Sequence, residues 1–197
     1  MANAREGRIV EVLIGMHPPL QTLREKQESE HAAYLATTPV ASVQVTLEGI
    51  VGDRHAGFTR RADGRTPFYP RGTIIGNHRQ VSLVSLEDLA QLAATMGVPH
   101  IAPAWLGANI VVEGVAGLSK LAPATRCFFP DDATLVVTAE NMPCVFPGRL
   151  IQHQYPDVQG LARMFPKSAI GLRGLVAWVE RAGTIRTGDT VRIEMFE

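Results

Sequence analysis

The feature that most constrains this chain is a succession of short β-branched runs, each bounded by glycine, proline or aspartate. They span residues 8–14, 43–47, 81–84, 110–112, 126–129, 134–138, 175–179 and 190–193. Val, Ile and Thr pack well on a pleated surface and lose side-chain freedom in a helix, so these runs predict strands. Gly15 and Pro18-Pro19 close the first run, and Gly188-Asp189 makes a turn before the last. Residues 171–191, from Gly171-Leu172-Arg173-Gly174 onward, read as a strand pair joined by turns. One helix stands out. Ser85 with Asp88 three residues later is a helix-start signature ahead of Leu86, Leu89, Ala90, Leu92 and Ala93, and Gly97 with Pro99 ends it. Many short strands, one clear helix and 18 glycines predict a mainly β fold, a closed or strongly bent β-barrel with helical decorations. The polar stretch 20–35 reads as a surface helix or excursion, and 59–77 as a long loop of the kind that often carries function.

No repeat or linker divides the 197 residues, and 46% hydrophobic residues suffice for one buried core, so a single domain over 1–197 is expected. No apolar stretch approaches the roughly 20 residues that span a bilayer, and the start has no signal-peptide core. The expectation is a cytoplasmic chain without a membrane partner. Only two cysteines occur, Cys127 and Cys144, which predicts free thiols rather than a disulfide framework. A formal net charge of zero argues against a nucleic-acid partner. The charge is unevenly spread, however. Arg54, Arg60, Arg61, Arg65, Arg71 and Arg79 fall in one stretch opposed only by Asp63. Such a run suits either bidentate binding of phosphate or carboxylate, or a solvated loop in an arginine-rich chain.

Several chemistries lack their signatures. There is no Gly-x-x-x-x-Gly-Lys-Ser/Thr loop and no Gly-x-Gly-x-x-Gly opening a helix, so those nucleotide-binding devices are absent. His17, His31, His55, His78, His100 and His153 are scattered without zinc-site spacing, and the serine-hydrolase elbow Gly-x-Ser-x-Gly does not occur.

Three segments remain. In residues 49–57, three glycines allow tight turns and close approach of a ligand, while Asp53, Arg54 and His55 bring three ionisable groups together. The segment suits a ligand lip, or a hairpin turn in which Asp53 caps backbone amides. In residues 135–144 a buried strand runs into a polar bend, and Pro143 stiffens the chain before Cys144. A thiolate there would be a nucleophile, a soft metal ligand or a persulfide carrier; a buried packing role is the alternative. Cys127, between Arg126 and Phe128 inside a strand, reads as packing. In the third segment Arg173, between two glycines, either binds an anion or snorkels.

Taken in order, Gly49-Ile50-Val51-Gly52-Asp53-Arg54-His55-Ala56-Gly57, Arg79-Gln80-Val81-Ser82-Leu83-Val84-Ser85-Leu86-Glu87, Gly107-Ala108-Asn109-Ile110, Pro143-Cys144 and the ending from Gly171-Leu172-Arg173-Gly174 to Gly188-Asp189 resemble the MOSC family, named for the C-terminal domain of molybdenum cofactor sulfurases. The resemblance covers about residues 40–193. It implies a β-barrel-like fold and binding of the molybdenum cofactor (molybdopterin), a pterin dithiolene bearing a phosphate. It also implies a cysteine, Cys144, that ligates the metal or carries sulfur. Asp53, Arg54, His55, Arg79, Asn109 and Arg173 are the positions it implies for cofactor binding. A separate electron-donor reductase or a cysteine desulfurase would be the protein partner, and no pyridoxal phosphate domain is expected within this chain. The functions so implied are reduction of N-hydroxylated compounds at the metal, persulfide transfer, or non-catalytic storage of the cofactor. Three departures stand out, one being that Val145-Phe146-Pro147-Gly148-Arg149 after Cys144 is not the family's usual pattern. Gly107-Ala108-Asn109 replaces the usual Gly-Glu-Asn, removing a carboxylate, and residues 59–77 look like an elaboration.

Overall fold

A computed structural model describes residues 4–16 and 36–195. The expected surface excursion over 20–35 lies outside the described residues. Among the described residues thirteen strands are formed: β1 (Ala4–Ile14), β2 (Thr38–Val40), β3 (Ser42–Thr46), β4 (Gly49–Ile50), β5 (Thr59–Arg61), β6 (Ile74–Gly76), β7 (Val81–Ser85), β8 (Ile110–Glu113), β9 (Arg126–Phe128), β10 (Thr134–Glu140), β11 (Leu175–Arg181), β12 (Gly183–Arg186) and β13 (Thr190–Glu194). Among the described residues there are three α-helices, α1 (Leu86–Met96), α2 (Val145–Gln154) and α3 (Leu161–Ser168).

The main sheet runs β13-β9-β10-β11-β7-β8-β1-β2, and β13 also pairs with β1, which closes seven strands into a barrel. The expected mainly β barrel with helices is therefore what forms. Closure is antiparallel, Ala4 opposite Glu194 through Arg8 opposite Thr190. It leaves the seven strands without an open edge to recruit another chain. Most neighbours are antiparallel; β7 and β8 are parallel, because α1 carries the chain across between them.

The apolar runs are continuous rather than alternating because both barrel faces are covered. Ile110 and Val112 point into the barrel with Ile9, Leu83, Leu135, Leu175 and Val191. Val111, between them, packs outward with Leu13 and Val84 under Leu89, Leu92, Ile151 and Phe165 of the helices. A smaller sheet, β12-β3-β4, adds Val43, Val45, Ile50 and Ile185 to the interior cluster.

The α1 signature is realised as expected. The Ser85 side chain accepts from the Asp88 amide, and Gly97 ends the helix in the left-handed region at φ 67°. Three expectations are corrected. Residues 59–77 are not an unstructured loop: β5 and β6 pair as a two-stranded hairpin separate from both other sheets. The strands after Gly174 form but do not pair with one another; β11 lies between β10 and β7, β12 pairs with β3, and β13 with β1 and β9. Helices α2 and α3 were hidden by Pro147, Gly148 and Pro166, residues that normally punctuate helices. Pro147 sits in the first turn of α2, where no intrahelical N–H is needed. Gly148 is where the two helices touch, since a Cβ there would lie 2.8 Å from the Ala162 carbonyl oxygen and from Phe165.

Candidate functional site

The segment at 49–57 is built around Asp53, whose side chain is fully buried. Oδ2 accepts from the Gly15 amide at 2.8 Å and from Asn109 Nδ2 at 2.9 Å. Oδ1 accepts from the His55 amide at 2.8 Å and from His55 Nδ1 at 2.9 Å. Asn109 completes the knot. Its Nδ2 also donates to the Leu13 carbonyl, and its Oδ1 accepts from the Ser82 amide. The Arg54 amide donates to the Gly15 carbonyl, and its guanidinium lies where a Cβ at Gly15 would sit. Asp53 and Asn109 thus tie β1, β7, β8 and the turn together. Burial alone would raise the Asp53 carboxyl, but the bond and charge of His55 and the amides of Gly15 and His55 hold it below its ordinary value.

A stability prediction follows. Because the folded carboxyl is depressed relative to about 4 in an unfolded chain, its contribution is full above that value and is lost as pH falls through the folded value. Asp53→Asn is expected to cost about 3 kcal/mol at neutral pH. The gap from wild type should narrow as denaturation is repeated below about pH 4. A gap constant down to pH 2 would refute the carboxylate role.

Cys144 lies elsewhere, immediately before α2. It is the helix N-cap residue with extended backbone (φ −137°, ψ 172°), and its side chain does not cap the helix. The sulfur is half-buried, beside the positive dipole end of a ten-residue helix. Arg65 Nη2, on the β5–β6 hairpin, approaches Cys144 Sγ to 3.7 Å. Asp63 orients that arginine, accepting from its amide at 2.9 Å and from Nη1 at 3.1 Å. Two further guanidiniums act electrostatically on this place. Arg79 donates from Nη2 to Asn141 Oδ1 at 3.0 Å, and burial, reinforced by repulsion from Arg65 and Arg60, brings it down to about 10. Burial brings Arg173 to about 10 as well, with the Cys144 charge opposing and the Arg65 and Arg79 charges adding.

Arg173 is the most informative of these. It is only 8% exposed, and Nη2 donates to the Leu106 carbonyl at 2.7 Å, but Nε and Nη1 are buried without a hydrogen-bond partner. Buried charged donors left unpaired are costly, so such groups mark a place where a ligand completes the bonding. The loop holding Arg173 is fixed from behind. The Gly174 amide donates to Ser119 Oγ at 2.8 Å, Ser119 Oγ donates to Asp88 Oδ2 at 2.6 Å, and the Gly174 carbonyl accepts from the Asn141 amide. Cys127 differs in every respect, fully buried and pushed up to about 12 by that burial.

The structure therefore brings Cys144, Arg79 and Arg173 together, and collects Asp53, His55 and Asn109 in a separate hydrogen-bonded knot. The two are joined through Asn77, whose Nδ2 donates to the His55 and Gly57 carbonyls while its Oδ1 accepts from the Arg79 amide. Sequence reasoning passed over Arg65 and Asn141 as site residues. Arg65 belongs to the arginine-rich run already singled out, and Asn141 is three residues before Cys144. Their proximity to Cys144 and Arg79 comes from the pairing of β5 with β6 and of β10 with β11. No group of three or more metal-ligating side chains occurs among the described residues.

Comparison with known proteins agrees with the fold. Residues 70–192 match the family model for the MOSC domain. A Bacillus subtilis (strain 168) protein, YuaD, named for metal-sulfur cluster biosynthesis, is 46% identical over 149 residues, covering 76% of this chain and 78% of its own. The crystal structure of the YuaD protein from Bacillus subtilis superposes with a TM-score of 0.90, covering 100% of both chains at 36% identity over that longer alignment. YiiM from Geobacillus stearothermophilus shares the fold at a TM-score of 0.59 and 18% identity, over 96% of this chain and 75% of that one.

Proposed function

Because the chain belongs to the MOSC domain family, we propose that Cys144 is a sulfur carrier for a molybdenum or related metal–sulfur centre. The observation that carries this reading is a half-buried thiol set between a helix N-terminus and the Arg65 guanidinium, a place suited to meeting an anionic sulfur donor. The name of the YuaD relative, which refers to metal-sulfur cluster biosynthesis, fits the same role. In the transfer, the Cys144 thiolate attacks the outer sulfur of a donor persulfide. One S–S bond forms on Cys144 as the donor's breaks, the donor leaves as its thiolate, and no net oxidation occurs. A cysteine desulfurase is a suitable donor.

The residues present also fit the molybdenum cofactor. The two unpartnered donors of Arg173 suit a phosphate, Arg79 adds charge, and the soft sulfur of Cys144 suits molybdenum or transferable sulfur. When bound, the cofactor would supply metal redox chemistry. The chain's own contribution is to hold its anionic end and present the thiol. Arg173's unmet bonds, which a bound anionic cofactor would complete, favour a second reading, in which Cys144 ligates molybdenum during reduction of N-hydroxylated compounds with electrons from a separate reductase.

One experiment separates the two. Protein purified from a host that makes the cofactor is analysed for metal, and Cys144 is examined by mass spectrometry for an added sulfur after incubation with a persulfide donor. The carrier reading expects one sulfur on Cys144, none on Cys127, and none in Cys144→Ser. Molybdenum near one per chain that disappears in Cys144→Ser, without persulfide, would establish the second reading. Persulfide on Cys127 instead would overturn the assignment.

A further inference from the structure

The β5–β6 hairpin pairs with neither other sheet, yet it delivers a charged side chain to the sulfur from 79 positions away in sequence. Its two faces are unlike. Toward the site it carries Arg65 and Arg60, and Arg60 Nε is buried without a partner. Elsewhere Phe68, Tyr69 and Ile74 stand exposed. Around Cys144, then, three guanidiniums act on one place, Arg65, Arg79 and Arg173, and Arg60 acts on Arg79. Asp63 is the carboxylate that pairs with Arg60 and Arg65. The two unpartnered donors of Arg173 suit the anionic end of a resident cofactor, and Asn141 occupies part of Arg79. Arg65, 35% exposed in its side chain, reaches both solvent and the thiol, 3.7 Å from the sulfur.

From this we infer that the hairpin is an anion-selecting lid: Arg65 is a specificity-determining residue that admits a small negatively charged reactant to Cys144 in preference to a neutral one. The inference deepens the proposed use of Cys144 by naming the charge class of what meets it, a class that includes the persulfide and polysulfide anions of a sulfur donor and small oxyanions. It rests on Cys144 being the reacting group. It does not depend on whether molybdenum binds.

The physical basis is focusing of charge at a partly enclosed site, which raises encounter rates of an oppositely charged reactant by about 10- to 1,000-fold and weakens with ionic strength. The test uses the full chain from a host that cannot make the cofactor. Cys144 is alkylated with iodoacetate, an anion, and iodoacetamide, its neutral counterpart; in each the sulfur displaces iodide. The rate ratio of the two is read at Cys144 by mass spectrometry, against the same residue in urea-unfolded chain. Folded wild type should show a ratio about tenfold above the unfolded reference, collapsing in high salt. Arg65→Gln should remove most of that preference and Arg65→Lys should restore part of it. Arg71→Gln, an exposed arginine of the same hairpin, should leave it in place. Equal ratios in wild type and Arg65→Gln would overturn the inference, as would an equal drop in Arg71→Gln, which would make the effect one of general charge. Melting temperatures of the variants report whether folding has been disturbed, and the partial rescue by lysine separates charge from shape. If the ratio behaves as expected but no sulfur or molybdenum is found on Cys144 in the experiment above, the lid stands and the proposed function falls.

Discussion

Replacing Gly174 by alanine is expected to destabilise the protein by about 3–5 kcal/mol and to lower Tm by roughly 10 °C. Two independent costs combine. Gly174 has φ 90°, a conformation an L side chain adopts only with strain of about 1–2 kcal/mol. A Cβ there would also lie 2.1 Å from the Leu83 carbonyl oxygen, a backbone atom held by the β7–β11 pairing of Leu83 with Leu175. Neither can move without opening the barrel wall. The substitution leaves every charged group of the site in place, yet it displaces the peptide that carries Arg173. Thermal and urea denaturation give the stability loss directly. A loss below about 1 kcal/mol would mean that the close approach is relieved by a shift the barrel tolerates.

Arg173→Met should do the reverse. In ligand-free buffer the variant is expected to match or exceed wild type in Tm. Removing a buried guanidinium with two unmet N–H groups relieves a desolvation cost worth about 1–4 kcal/mol, against about 1 kcal/mol for the Leu106 carbonyl that loses its donor. Added inorganic phosphate should stabilise wild type in a concentration-dependent way and leave Arg173→Met unmoved. With charged hydrogen bonds worth about 1.5–3 kcal/mol each, losing two weakens anion binding by roughly 100-fold or more. Wild type that gains nothing from phosphate, or a variant less stable than wild type without it, would show that Arg173 is a structural cation.

The fold was legible to the extent that local chemistry decided it. The eight apolar runs lie in barrel strands or in β3, and the Ser85 cap and Gly97 stop mark α1 as expected. What escaped was non-local. Pro147, Gly148 and Pro166 resemble breaks unless one knows that α2 and α3 touch at Gly148. The arginine-rich stretch could not reveal its hairpin, because β5 and β6 are three residues each and carry little strand signal. The site divided similarly. Cys144 stood out as a thiol after a strand, and Arg173 between two glycines raised the question of an anion. That Asp53 caps backbone amides was one of two readings of its turn, and its bonds to Gly15 and His55 bear that one out. Arg65 required knowledge of a contact spanning most of the chain's middle, which no spacing rule contains.

The stretch 141–174 leaves the barrel after Glu140 and rejoins it at Leu175, residues that face each other across β10 and β11. Cys144 stands near its exit and Arg173 near its return, so their spacing is held by strand pairing rather than by the helices between them. The interior of that excursion is therefore free to vary wherever it does not cover the barrel, as Ile151, Leu161 and Phe165 do. Length or composition beyond the first turn of α2 can change what surrounds the thiol while the sulfur and the guanidinium keep their separation. Variation within this architecture has a natural place to accumulate without dismantling the chemistry.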